Sequence, residues 1–142
     1  MKRFSIQMVD NTVSSEWWKT IIRHFLRVGD NFELRCWKEE TQEILQAKRY
    51  GVATTEGNEI SIKGIIVDEL LLELMEETPT DKEIYNKMTM YFTLNVKNEL
   101  CDICSEHYGT ELYIVIYSDE DILFFEQVMK RYSDDYFSIG EW

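Results

Sequence analysis

Hydrophobic and polar residues along this chain switch between a period of two and a period near 3.6, and the switches mark its elements. Residues 3–9, RFSIQMV, alternate as a strand does. In SSEWWKTIIRHFLRVG, stepping about 100° per residue gathers Trp17, Trp18, Ile21, Phe25 and Val28 on one stripe. Ile22 and Leu26 widen that stripe, and Glu16, Lys19, Arg23 and Arg27 lie opposite. The pattern predicts an amphipathic helix, with Ser14 placed to cap its start and Gly29 to close its end. NFELRCWK sets Phe32, Leu34 and Cys36 against Glu33, Arg35 and Trp37, a strand pattern. EETQEILQAKRYG predicts a less amphipathic, exposed helix ending at Gly51, and VATTEGNEISIKG a hairpin turning near Glu56-Gly57-Asn58.

The second half repeats the alternation. VDELLLELMEETPTD predicts a helix entered at Asp68, and Thr80 with Glu83 has capping-box spacing for a short helix after Pro79. MTMYFTLNVK alternates over residues 88–97 and predicts a strand, although Ile84, Tyr85, Met88, Tyr91 and Phe92 also fit a helical stripe. NELCDICSEHYG predicts a helix closed by Gly109. ELYIVIYS is almost unbroken in its apolar character, as a central strand covered on both faces is. SDEDILFFEQVMKRY has a capping-box-like start at Ser118 and Asp121, three acids in its first turn, and Lys130 and Arg131 near its end. YFSIGEW predicts a short edge strand. Strands interleaved with helices imply a single α+β domain over residues 1–142, a sandwich of one mixed sheet packed against helices.

Composition narrows the class. The 142 residues are 44% hydrophobic and 13% aromatic, too apolar for a disordered chain, and Pro79 is the single proline. MKRFSIQMVDN does not read as a signal peptide, and no apolar window is long enough to span a membrane. Three cysteines, an odd number, argue against a disulfide framework and for a reducing cytoplasm. The net charge is −12 and unevenly spread. Residues 1–63 hold ten Lys/Arg against nine Asp/Glu, whereas residues 64–142 hold five against eighteen. A field of that sign repels nucleic acid and anionic membranes and favours a cationic partner.

Motifs for chemistry are sparse. No phosphate-binding glycine loop, no dinucleotide fingerprint and no His-Glu-x-x-His occurs, and no serine sits in a nucleophile elbow. Cys101, Cys104 and His107, with Cys36 as a fourth ligand, have residue types that zinc takes. On the predicted helix, however, Leu100, Cys101, Ile103, Cys104, His107 and Tyr108 share one face, so the pair reads as core, where cysteine packs as a small hydrophobe. The expectation is therefore a chain without catalysis, cofactor or metal.

The helix entered at Asp68 is the exception to ordinary patterning. Glu69, Glu73, Glu76 and Glu77 fall within about 100° of one another, with no basic residue among them. Each like-charge pair at i,i+3 or i,i+4 costs roughly 0.2–0.5 kcal/mol when exposed. Local stability does not favour this face, which leaves two explanations: a solvated face that keeps the chain soluble, or a docking surface that a basic protein neutralises. Asp81, Glu83, Asp119, Glu120, Asp121, Asp134 and Asp135 extend the patch if the fold brings them near. The sequence thus predicts an acidic, cytoplasmic, protein-binding inhibitor. At the level of class this matches the immunity or antitoxin proteins of bacterial toxin systems, which occlude a basic, nuclease-like toxin domain. The alternatives are a regulatory or adaptor domain with a hydrophobic interface, or an enzyme or zinc-stabilised module.

Overall fold

The computed structural model describes residues 1–9, 13–76, 87–132 and 137–141. Their order is β1 (Lys2–Met8), α1 (Glu16–Phe25), β2 (Asn31–Trp37), α2 (Thr41–Ala47), β3 (Gly51–Glu56), β4 (Glu59–Ile65), α3 (Asp68–Leu74), β5 (Thr93–Lys97), β6 (Cys101–Glu106), β7 (Glu111–Ile116), α4 (Asp119–Lys130) and β8 (Phe137–Glu141). The eight strands form one open sheet in the order β3-β4-β2-β5-β6-β7-β1-β8. Every neighbouring pair is antiparallel, where the sequence predicts a mixed sheet.

The connections explain the difference. Each helix links two strands that run the same way but never pair. Between β1 and β2 stand β5, β6 and β7; β4 separates β2 from β3; β2 separates β4 from β5; β1 separates β7 from β8. Strands running one way step toward β3 through α1 and α2, and strands running the other way step toward β8 through α3 and α4. If all four crossovers take the usual right-handed sense, all four helices fall on one face of the sheet.

The core agrees. The register puts Phe4, Phe32, Leu34, Ile62, Leu94, Val96, Ile103 and Ile114 on one face. They join Trp17, Trp18, Phe25, Ile44, Leu70 and Phe125 from the four helices in a single buried cluster. Phe4 and Phe125 stand 4.6 Å apart, Trp17 meets Phe137 edge-on at 5.0 Å, and the indole N–H of Trp18 donates to Ser105 Oγ at 3.0 Å. That bond satisfies a buried hydroxyl and a buried N–H together. No helix packs on the opposite face among the described residues. For this reason β7 is not covered on both sides as the sequence predicts: Leu112, Ile114 and Ile116 are buried, while Tyr113 is 36% exposed.

The largest local correction is at residues 98–109, which the sequence predicts as a helix. Residues 101–106 are β6, with Cys101, Ile103 and Ser105 buried and Asp102, Cys104 and Glu106 turned to the other face. The strand segment predicted over 88–97 begins only at Thr93, and α3 stops at Leu74, before Glu76 and Glu77. At α1, Ser15 takes the N-cap position without a side-chain cap bond of its own, Ser14 Oγ accepts from the Glu16 N–H at 3.4 Å, and the helix closes at Leu26 ahead of Gly29. The short helix predicted from Thr80 lies outside the described residues.

Candidate functional site

The outward face of α3 is decided by how the helix buries its leucines. Leu70 and Leu74, one turn apart, are buried; Leu71 and Met75 are half-buried; Leu72 is 68% exposed. Stepping about 100° per residue from Asp68 puts Leu72 near the outward pole, flanked by Asp68, Glu69 and Glu76, all exposed. Glu73 does not join them. It sits on the flank of the buried stripe, and its Oε2 accepts from the Tyr91 hydroxyl at 2.9 Å. Burial pushes its carboxyl above the ordinary carboxylate value, against the Tyr91 and Gln46 hydrogen bonds that favour the charge. The fully exposed four-glutamate row predicted from sequence is thus reduced, in the described residues, to Glu69 and Glu76.

The acids of α4 are engaged differently. Ser118 caps the helix, its Oγ accepting from the Asp121 N–H at 3.1 Å and donating to Asp121 Oδ2 at 2.8 Å. His24 Nε2 stands 2.8 Å from Asp121 Oδ1, and the His24 ring stacks on Phe124 at 3.7 Å. Burial opposes charge on Asp121, yet the His24 and Ser118 hydrogen bonds prevail and hold its carboxyl below the usual range. Asp121 therefore joins α1 to α4. Asp119 and Glu120 remain exposed beside Leu123, itself 56% exposed. Both helices begin Asp-Glu and present a leucine four residues after the Asp, at Leu72 and Leu123.

The last turn of α1 touches both. Arg23 Nη2 lies 3.6 Å from Met75 Sδ at the end of α3, while His24 holds Asp121 at the start of α4. The basic end of α1 thus lies against the end of α3 and the start of α4. Glu77, Asp81, Glu83, Asp134 and Asp135 lie outside the described residues.

On the helix-free face, Glu33 gathers Ser61 Oγ, Asn95 Nδ2 at 3.0 Å and Arg35 Nη1 at 3.1 Å, and Arg35 also reaches Glu59 at 3.1 Å. Burial works against the charge of Glu33, but these donors lower its pKa overall. Further along the same face, Glu106 and Glu111 are paired across β6 and β7, and His107 Nδ1 lies 2.9 Å from Glu111 Oε2. These three are the one group of three or more Cys, His, Asp or Glu ligand atoms close enough to share an ion among the described residues, lying within 4.8 Å of one another. The strand register sends Cys101 into the core and Cys104 to the other face, so the Cys36, Cys101, Cys104 and His107 set does not converge. All three thiols are free, and burial first, with nearby carboxylates, pushes each up to about 12. The carboxylate–imidazole group is absent from the sequence prediction. Its signal is a four-residue turn, HYGT, between two alternating runs, which would set residues 106 and 111 opposite each other.

No helix among the described residues is long and apolar enough to cross a membrane. No family model, no curated protein and no solved structure matches the chain.

Proposed function

We propose that this protein is a binding module for a basic protein partner, docking it through the outer faces of α3 and α4. It neutralises the partner by covering its cationic surface, as an immunity protein covers a nuclease-like toxin domain. The mechanism is steric and electrostatic occlusion, without chemistry and without a cofactor.

One observation carries this reading: Leu72 is 68% exposed among Asp68, Glu69 and Glu76, and no lysine or arginine pairs with these acids among the described residues. An apolar side chain ringed by unpaired carboxylates suits a surface whose centre is desolvated in the complex and whose rim meets positive charge. Leu123, beside Asp119 and Glu120, repeats the arrangement on α4. The same leucines support a second reading, an adaptor whose partner is chiefly apolar.

Salt separates the two. With the partner captured from the native host, association of an acidic inhibitor slows steeply as salt rises, and Glu69→Lys with Glu76→Lys slows it several-fold while leaving the fold intact. Association insensitive to salt and to both reversals, but weakened by Leu72→Ala, gives the adaptor reading. Binding indifferent to all three changes removes α3 from the interface.

A further inference from the structure

Glu106 and Glu111 face each other directly across β6 and β7 on the helix-free face. Like charges in that position oppose strand pairing. Neither has a lysine or arginine ion pair among the described residues; the basic side chain that reaches Glu111 is His107. The turn that follows β6 brings the imidazole back over the hairpin, with His107 at φ 51° and Tyr108 at φ 60°. Gly109, at φ 83°, completes the turn where a Cβ would come within 2.6 Å of Met88 Cβ. The carboxylates are also oriented from outside: Cys104 Sγ donates to Glu106 Oε1 at 3.4 Å, Gln7 Nε2 to Glu111 Oε1 at 3.3 Å, and the Tyr113 hydroxyl to Glu111 Oε2 at 3.4 Å.

We propose that Glu106, His107 and Glu111 form a binding site for one zinc-class divalent cation. One imidazole nitrogen and two carboxylate oxygens are a donor set such ions accept. Their ligand atoms all lie within 4.8 Å of one another. Ligands about 2.0–2.2 Å from a tetrahedral ion stand roughly 3.3–3.6 Å apart, so small side-chain rotations fit the set to an ion. The proton held between His107 Nδ1 and Glu111 Oε2 at 2.9 Å leaves to solvent as the ion binds. Gln7, Tyr113 and Cys104 serve as the outer shell that orients the ligand carboxylates. Three protein ligands leave a fourth position open on the helix-free face, for water or for a donor atom from another molecule. The site is independent of the outer faces of α3 and α4.

Titration calorimetry with zinc chloride tests the proposal. One Zn²⁺ binds per chain, and magnesium and calcium, which take all-oxygen cages, bind far more weakly. His107→Asn keeps a residue that tolerates positive φ, and Glu111→Gln keeps an acceptor for Gln7; each weakens zinc by at least ~tenfold. Both variants stay folded without metal, Glu111→Gln melting no lower than the parent because the like-charge pair across β6 and β7 is gone, which separates ligand loss from unfolding. No zinc binding up to about 1 mM overturns the site. Equal binding by both folded variants also overturns it, by placing zinc elsewhere on the chain.

Discussion

The two acidic helices begin alike and are held differently. In α4 every acid of the first turn has a local reason. Ser118 and Asp121 make the cap, Asp119 and Glu120 sit at the positive end of a twelve-residue helix, and His24 fixes Asp121 against α1. In α3 the N-cap is Val67, without a side-chain cap bond, and the helix runs seven residues. Its sequence then continues into Glu76 with no basic residue in the last turn. Acids that stabilise their own helix say little about partners. Asp68 and Glu69 lie in the first turn of α3 as Asp119 and Glu120 do in α4. Only Glu76, past the end of α3 beside the exposed Leu72, lacks such a reason, and what α3 implies about a partner beyond α4 rests on Glu76.

The two helices should differ most in how firmly the core anchors them. Phe125 is buried against Phe4, and Phe125→Ala should cost about 3–5 kcal/mol in denaturant unfolding. Leu70→Ala should cost about 2–5 kcal/mol. A value at the low end would mark α3 as the more lightly held helix. A cost for Leu70→Ala exceeding that of Phe125→Ala would reverse the comparison.

Capping gives a smaller effect and opposite signs. Removing the α4 cap with Ser118→Ala should destabilise by about 1 kcal/mol. Supplying α3 with a cap through Val67→Ser should stabilise by roughly 0.5–1 kcal/mol, since Val67 is 42% exposed and already extended at φ −112°, ψ 163°. Melting curves of the two variants check both signs. If Val67→Ser gains nothing, the first turn of α3 is satisfied in some other way, and its lack of a side-chain cap loses its meaning.

The same contrast shows what the pattern of residues could reveal. The helix α4 was legible because its cap, dipole and apolar stripe all agree, and α1 because its stripe is long. β6 was not: Cys101, Ile103 and Ser105 alternate as a strand must, but in a six-residue run the cysteines also fit a helical face, and packing decided between them. The antiparallel sheet was hidden because interleaved helices ordinarily signal parallel neighbours, whereas here each crossover skips at least one strand. The reach of Tyr91 to Glu73, eighteen residues away, is a product of tertiary packing that no local period encodes.

That contact makes the finest test. Glu73 keeps its proton to a higher pH in the folded state than its ordinary value of 4.5, with burial the main cause. Its contribution is therefore fully present below 4.5 and is lost as pH rises through the raised value. Asp121 behaves in the opposite sense. Its folded value lies below 3.8, so its contribution is present above that pH and lost as pH falls. Glu73→Gln, which still offers Tyr91 an acceptor, should leave the protein at least as stable as the parent at neutral pH, with the difference fading on acidification. Asp121→Asn should destabilise at neutral pH, again with the difference fading as pH drops. Thermal melts across that range compare them directly. If Glu73→Gln instead loses stability at neutral pH, the charged carboxylate is an anchor for Tyr91. The inner glutamate of α3 would then have a structural explanation, and Glu69, Leu72 and Glu76 alone would be left to speak for a partner.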